Sequence, residues 1–507
     1  MTPESIMTKK VSVLELMRIS GVSFGTSGAR GRVTEMNDYV CYSYTMAFLQ
    51  YLLDKKEIKT GSNVGIAGDL RSSTDRIMNA VASAIVDMGF HPVNCGKIPS
   101  PAVAFYGLQN KIPSIMVTGS HIPDDRNGIK FNKPTGEILK DDEEEICSQF
   151  INLPIGLFSN SGEFSVPKIN IGEVDSEASD IYIQRYLDFF KPGCLSGMKV
   201  GLYEHSGVGR DILFKLLHEL GANVVRLGRS EIFMPVDTEA IREEDIALAR
   251  NWTKEHKLDA IVSTDGDADR PLVGTEKGEW LRGDIAGLLC AAYLNIHHVV
   301  TPVSSNSVVD HCGLFETVEK TKIGSPYVIH GMQKIANEKN GLVAGYEANG
   351  GFLLESTIKQ DGHTLDALPT RDAAIVILSL LVSAHSKRKD LSALTKKLPE
   401  SFTTSNRIKE FPTKLSCEYI SSLTDGIKFD AIEDEFGGIC GKVKFIDLTD
   451  GLRIVFYNNE IIHLRPSGNA PEFRCYNEAG SLSRVEEINI ACINQINKWF
   501  SQTMLNA

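Results

Sequence analysis

The sequence predicts an α/β protein made of three related α/β units and a smaller α+β domain at the C-terminal end. Three observations predict it: a strand–helix–strand plan that recurs along the chain, apolar periods near 3.6 closed by glycine, and strand-like alternation beyond residue 400. The first unit reads "NVGIAGDL" (Asn63 to Leu70), then the helical "TDRIMNAVASAIVDM", then the Gly-led strand "GFHPVNCG" (Gly89 to Gly96). The second reads "KVGLYEHSG" (Lys199 to Gly207), "GRDILFKLLHEL" and "GANVVRLG" (Gly221 to Gly228). The third, "HVVTPVSSNS" (His298 to Ser307) ending in "GLFETVEKTKIG" (Gly313 to Gly324), follows the plan more loosely. A glycine after an amphipathic period is a helix C-cap, and the β-branched run beyond it is a strand.

Between the first two units, "KDDEEEICSQF" and "SNSGEFSVPKINIGEVDSEASD" are polar and turn-rich, which predicts a surface connection near residues 150 to 175. The acidic run reads as a solvated helix face. Past the helical "LSALTKKLPES", the stretch "GKVKFIDLTDGLRIVFYNNEIIHLRPSG" alternates apolar and polar residues around tight-turn pairs, the texture of a separate C-terminal domain.

Whole-chain properties bound the function. The 507 residues exceed one ordinary core. A formal charge of −12 without a long Lys/Arg run argues against nucleic acid as a partner, so anionic ligands need locally basic pockets. Ten cysteines (41, 95, 147, 194, 290, 312, 417, 440, 475 and 492) lie far apart with no CxxC, and read as reduced and mostly buried. No N-terminal stretch reads as a signal peptide, and the longest apolar run, "AAIVILSLLVSA" (Ala373 to Ala384), is too short to span a bilayer. The expected location is the cytoplasm, with no membrane partner.

Four loops carry the chemistry. "IVSTDGDADRPLV" (Ile261 to Val273) is an apolar strand opening into Asp265, Asp267 and Asp269, whose oxygens can converge on one hard cation. Glu276 stands at the twelfth position of an EF-hand count, but Arg270 takes the sixth, where the sharp turn needs glycine, and Pro271 follows in strand-like flanks. With few protein ligands, a Mg²⁺ ion there would complete its shell with a phosphate oxygen. In "SIMVTGSHIPDDRNGIKF" (Ser114 to Phe131), Ser120 is a loop hydroxyl capping its own backbone, a hydrolase nucleophile with His121 as base, or a phosphate attachment point. The hydrolase reading is the weakest, because the loop lacks G-x-S-x-G and adjacent loop residues seldom serve as nucleophile and base. "HLRPSGNAPEFRCY" (His463 to Tyr476) gathers Arg465, Ser467, Asn469 and Arg474 around a Gly turn with only Glu472 as an acid, a donor set suited to phosphate. "GYEANGG" (Gly345 to Gly351) places Glu347 and Asn349 on a glycine-flanked turn able to hold vicinal sugar hydroxyls, although such turns are commonly only turns.

These segments resemble, in order and over nearly the whole chain, the α-D-phosphohexomutases, and among them the bacterial phosphomannomutases. "SFGTSGARGRV" resembles the family's F-G-T-x-G-x-R-G segment, "TGSHIPDDRNGIK" its phosphoserine loop and "DGDADR" its metal loop. "GYEANGG" resembles its sugar loop and "RPSGNAPEFR" its phosphate loop. The resemblance implies three αβα-sandwich domains and a C-terminal α+β domain around a central cleft, here at residues 1–170, 171–295, 296–400 and 401–507. It implies interconversion of mannose 6-phosphate and mannose 1-phosphate through phosphorylated Ser120 and a 1,6-bisphosphate, which also serves as activator. Mg²⁺ would be held by Asp265, Asp267, Asp269 and the Ser120 phosphate. Arg30 and Arg270 would steady the transferring group, and Lys130 or His121 would move protons. Glu347, Asn349 and Gly350 would hold the sugar, while Arg465, Ser467, Gly468, Asn469 and Arg474 would grip the other phosphate. The implied assembly is a monomer or dimer.

Departures from the family pattern are specific. Gly119 and Ile122 stand where the commoner loop has Ala and Asn, which predicts a more flexible serine loop; Asn349 replaces a common Ser, and Asn469 and Ala470 replace Thr-Glu. Ser325, in "KIGSPYV", stands where mannose-active relatives can have His, and "EANG" resembles the acetylglucosamine-phosphate mutases. Glucose phosphate and the amino-sugar phosphates are therefore alternative substrates. A metal-dependent sugar phosphatase and a sugar-phosphate sensor are the rivals from other classes.

Overall fold

A computed structural model describes residues 8–25, 28–166, 171–425, 429–467 and 471–505. The described residues up to Val299, together with Gly324–Leu394, form one compact unit; Val300–Ile323 and those from Thr395 onward form a second.

In the first unit, the strand Asn63–Gly68 pairs in parallel with His91–Lys97 and with Ser114–Val117, and the helix Thr74–Asp87 makes the crossover. That helix buries Ile77, Met78, Val81, Ala84 and Ile85, the one-sided stripe its apolar period encodes. Ile77, Met78, Val81 and Ile85 each contribute roughly 1.5–3 kcal/mol on burial. Ser114–Val117 also pairs antiparallel with Arg126–Lys133, which in turn pairs with Ala29–Arg32. A second sheet repeats the crossover: Lys199–Tyr203 lies parallel to Asn223–Leu227 and Ala260–Thr264, with the helix Arg210–Glu219 between the first two in sequence. Val343–Tyr346, Phe352–Leu354 and Leu368–Asp372 form an antiparallel run. The loops holding Ser120, Asp265 and Glu347 each leave the C-terminal end of a strand, where α/β sheets usually bind ligands.

The run Ala373 to Ala384 lies in the helix Ala373–Ser386 and is buried at every position. A helix apolar all round belongs in a core. No helix among the described residues is long and apolar enough to cross a membrane. Its N-terminus is held by Asp372, which accepts from the Ala374 N–H at 3.0 Å and from the Tyr182 hydroxyl at 2.7 Å, and also from Tyr186. Both tyrosines stand one turn apart on the helix Glu177–Phe189, and burial beside this carboxylate raises both phenols well above their ordinary value.

The second unit is built on a five-stranded antiparallel sheet in the order Phe402–Lys409, Glu472–Ala479, Ile461–Pro466, Leu452–Phe456, Val443–Asp447. The helix Leu482–Leu505 packs Val485, Ile488, Cys492 and Ile496 into its core with Phe411, Tyr419 and Phe436. All ten cysteines are free, six of them buried.

Three local expectations need correction. The acidic run forms the helix Lys140–Cys147, but Asp142 and Glu143 are buried rather than solvated, because Lys133 pairs with Asp142 at 2.8 Å and Lys140 with Glu143 at 2.6 Å. In the third repeat the helix shrinks to one turn, Val308–His311, ended by Gly313 in the left-handed region at φ 66°. "LSALTKK" is a 3₁₀ helix, Leu391–Lys397, rather than an α-helix, and it stops there because Pro399 keeps Leu398 out of the α region.

Asp372→Ala removes one acceptor from two buried hydroxyls and a helix cap together. A loss of about 3 kcal/mol in unfolding free energy is expected, and less for Asp372→Asn, which keeps an acceptor. Urea denaturation of the three proteins checks this.

Candidate active site

Asp265, Asp267 and Asp269 follow the strand Ala260–Thr264 in a tight turn, with the Ala268 N–H on the Asp265 carbonyl at 3.3 Å and Ala268 at φ 55°, and their carboxylates converge there. All are buried, and one oxygen of each lies within 4.8 Å of the others; among the described residues this is the one His/Cys/Asp/Glu group able to hold a metal ion. Asp267 Oδ1 and Asp269 Oδ1 are buried without a hydrogen-bond partner. Free oxygens on converging carboxylates fit a hard divalent cation.

Three buried like charges need cations, and each comes from a different strand or loop end. Lys130 Nζ, on Arg126–Lys133, lies 2.6 Å from Asp267 Oδ2 and 2.6 Å from Asp269 Oδ2. Arg371 Nε, on Leu368–Asp372, is 3.0 Å from Asp269 Oδ2. Arg270 Nε stands 3.5 Å from Asp269 Oδ1. Burial and the neighbouring carboxylates raise the Asp265 carboxyl well above its ordinary value. Burial also presses on Asp267 and Asp269, but Lys130 on both, and Arg371 and Arg270 on Asp269, outweigh it and hold them low. Lys130 is raised in turn: burial disfavours its charge, and Asp267 and Asp269 more than restore it. It is held as an ammonium in this setting. Arg30, on Ala29–Arg32, is lowered to about 10 by burial and by Arg270 and Arg371, and its Nε has no partner, so it stays charged near neutral pH and open to an anion.

Ser120 is fully buried and reaches this cluster. Its hydroxyl donates to Asp265 Oδ2 at 2.6 Å and lies 3.3 Å from His121 Nδ1. The shorter bond is to the aspartate, so His121 does not hold Ser120 as a triad base would. Burial, with Arg270 and Arg30 close by, pushes the His121 imidazole down to about 3 against the opposing pull of Asp237, leaving it neutral.

In the "GYEANGG" turn, Glu347 Oε2 pairs with Arg371 Nη1 at 2.9 Å, so one guanidinium joins this loop to the metal-type aspartates. Asn349 spends its side-chain oxygen on the Gly351 N–H at 2.9 Å and its carbonyl on the Thr238 hydroxyl at 2.8 Å. Gly350 holds the turn at φ 88°. Ser325 is buried and donates to Glu137 at 3.1 Å.

In the second unit, Arg465 and Arg474 are direct cross-strand neighbours, and Arg407 stands opposite Arg474 on its other side. Three arginines in one row repel one another and favour an anion. Glu472 is not their only acid: Asp450, from the turn before Leu452, lies 3.0 Å from Arg465. Ser467 is buried beside them, its N–H on the Glu472 carbonyl at 2.9 Å. Gly468 and Asn469 lie outside the described residues.

Sequence reasoning missed Ser100, Arg371, Asp237 and Arg407. Ser100 donates to Asp267 Oδ2 at 2.5 Å from a helix start 167 positions away. Arg371 sits in "LPTRDAAIVIL", where the apolar run that follows hid it; a basic residue at the mouth of a fully apolar helix was the available signal.

Comparison with known proteins bears on the whole chain. Models of the phosphoglucomutase/phosphomannomutase alpha/beta/alpha domains I, II and III match residues 21–153, 182–278 and 282–402. A phosphomannomutase from Salmonella muenchen is 45% identical over 472 residues, covering 92% of this chain and 94% of that protein. A phosphomannomutase from Sinorhizobium fredii is 41% identical over 471 residues, covering 92% and 97%. A solved phosphoglucomutase/phosphomannomutase family protein from Burkholderia thailandensis superimposes with a TM-score of 0.69 at 19% identity, covering 93% of this chain and 97% of that one, a likeness of fold. The ordered loops, the repeated α/β crossovers and these matches agree, and the chain belongs to the phosphoglucomutase/phosphomannomutase family of α-D-phosphohexomutases, a family of isomerases.

Proposed function

We propose that this chain is a phosphomannomutase that interconverts mannose 6-phosphate and mannose 1-phosphate through phosphorylated Ser120 and a mannose 1,6-bisphosphate. The observation that carries the proposal is the Ser120 hydroxyl, 2.6 Å from Asp265 inside a buried aspartate cluster in which Asp267 Oδ1 and Asp269 Oδ1 accept no hydrogen bond. A hydrolytic serine would face its base. This one faces the groups that would hold Mg²⁺, and Mg²⁺ bound there would supply charge neutralisation for a phosphoryl group.

In the first half-reaction the bond from Ser120 Oγ to phosphorus breaks and one from phosphorus to the free sugar hydroxyl forms. The hydroxyl proton passes to the protein, and Ser120 Oγ regains one. Lys130, an ammonium beside Asp267 and Asp269, and neutral His121, 3.3 Å from the Ser120 hydroxyl, are the two candidates to pass these protons. Arg30 and Arg270 face the charge that spreads over the transferring oxygens. The bisphosphate then returns its other phosphate to Ser120. Glu347 and the Asn349 amide take sugar hydroxyls. Arg465, Arg474 and Ser467, with Arg407 beside them, are assigned the phosphate that does not react. The four domains at 1–170, 171–295, 296–400 and 401–507 then carry the serine, metal, sugar and phosphate loops in turn.

Mannose and glucose share O3 and O4, so contacts there leave C2 to pocket shape and discrimination is expected to be modest. Mannose 1-phosphate should give the highest kcat/KM and glucose 1-phosphate the next, when both are measured beside glucosamine 1-phosphate and N-acetylglucosamine 1-phosphate with their bisphosphate activators. A preference for either amino sugar would overturn the sugar assignment and leave the phosphoserine chemistry standing.

Chelation should stop turnover and Mg²⁺ restore it, whereas Asp267→Ala should not recover at any Mg²⁺ concentration. Activity of that variant in chelator would contradict the metal assignment. For Arg474→Ala, loss of a charge-assisted contact predicts roughly 1.5–3 kcal/mol, or about 10- to 150-fold in kcat/KM for a hexose monophosphate.

A further inference from the structure

Ser120 sits in the left-handed region, at φ 55°, where a residue with a side chain is strained. Something outside the loop must hold it there. Part of the answer is a relay from Asp69: the Thr118 hydroxyl donates to Asp69 Oδ2 at 2.7 Å and accepts the Ser120 N–H at 2.8 Å. The larger part is Arg71. Its Nε donates to the same Asp69 oxygen at 3.1 Å. Its Nη2 donates to the carbonyls of Ser120 at 2.8 Å and Ile122 at 2.6 Å, and its Nη1 to those of Pro123 at 2.7 Å and Arg126 at 3.1 Å. One buried guanidinium thus collects four carbonyls of the serine loop, and the Phe233 ring covers it with the centroid 4.0 Å from Cζ.

The same arrangement explains why residue 119 is glycine. A Cβ added there would lie 2.7 Å from Arg71 Cζ, 2.8 Å from Nε and 2.9 Å from Nη2, closer than real side-chain contacts allow. The guanidinium fills the volume that an alanine methyl would need. The glycine therefore does not loosen this loop; it admits the group that fastens it.

We propose that Arg71 is a positioning residue for phosphoryl transfer: by gathering the carbonyls of residues 120, 122, 123 and 126 it fixes the direction in which Ser120 presents its oxygen, and Gly119 is the space it requires. This rests on the reading of Ser120 as the phosphorylated residue. Arg71 touches no reacting atom, and its effect passes through the loop backbone. Lysine cannot replace it, because a single ammonium lacks the planar fork that spans four carbonyls and Asp69 together.

The test compares the native protein with Arg71→Lys, Arg71→Met, Gly119→Ala and the double variant Arg71→Met/Gly119→Ala. Thermal melting reports folding; intact mass after rapid quenching reports phosphate gained from a hexose 1,6-bisphosphate; steady-state kinetics report kcat and KM. The clamp predicts that Arg71→Met and Arg71→Lys each slow phosphate gain and kcat by about 100-fold, the scale of a small misplacement of reacting groups, with KM for the monophosphate little changed. Gly119→Ala should slow the native protein by about tenfold or more and add nothing once Arg71 is methionine, as residues acting as one unit do. Folded Arg71→Lys with native rates would overturn the proposal, as would an equal penalty for Gly119→Ala in both backgrounds. Should Arg71→Met not fold, Arg71→Lys and its own Gly119→Ala double variant carry the same comparison. If the native protein gains no phosphate on Ser120, the reading of Ser120 falls first and the clamp with it; if the native protein gains it and the Arg71 variants gain it equally fast, the clamp falls alone.

Discussion

Three buried carboxylates within reach of one another are the constraint on which the rest of the site depends. Left alone, Asp265, Asp267 and Asp269 would suffer both desolvation and mutual repulsion, and the protein could not keep all three charged. Lys130, Arg270 and Arg371 answer that charge, and the first and last do so from strands distant in sequence. Ser120 adds a neutral donor on Asp265, and Ser100 another on Asp267. Supplying these partners forces the strands Arg126–Lys133 and Leu368–Asp372 to present their inward ends to the loop after Ala260–Thr264. The electrostatic demand of one loop thereby places two others.

Under the proposed function, sugar recognition would share the same charges. Arg371 divides its guanidinium between Asp269 and Glu347, so a change in how Glu347 meets a hydroxyl reaches the aspartate cluster through a single planar group. The backbone of the sugar loop has little freedom to adapt, because a Cβ on Gly283 would lie 2.3 Å from the Gly350 nitrogen: the helix Gly283–Tyr293 starts flush against the turn. On the proposed reading, a rigid turn presenting the Glu347 carboxylate and the Asn349 amide would hold hydroxyl pairs but offer little to separate epimers at C2.

What could be read from the sequence follows the range over which each interaction acts. The crossovers Thr74–Asp87 and Arg210–Glu219 were legible because a local period of 3.6 ending in glycine encodes them. The aspartates were legible because three acids crowd one short loop after an apolar strand, whereas the turn at Ala268 that brings their oxygens together was not. Arg71 and Arg371 were not, since "GDLRSS" and "PTRDAA" show no local pattern that says where a guanidinium will point. The same limit hid Asp450 from the arginine loop and made the run "KDDEEE" look solvated, although Lys133 and Lys140 bury two of its acids. Arg407 became visible only when strand register set it opposite Arg474. Gly119 looked like added looseness because the side chain that occupies its empty volume lies 48 positions upstream, as the numbers 119 and 71 give.

The central claim is that phosphate travels on Ser120 from sugar to sugar. It is tested most directly by charging the purified protein with a hexose 1,6-bisphosphate, removing the excess, mapping the phosphate by peptide mass and then adding a hexose monophosphate in a single turnover. The account predicts that the phosphate maps to Ser120 and leaves it for the sugar, so that new bisphosphate appears much faster than inorganic phosphate. Phosphate mapped to another residue, or released to water as fast as it reaches the sugar, would contradict it.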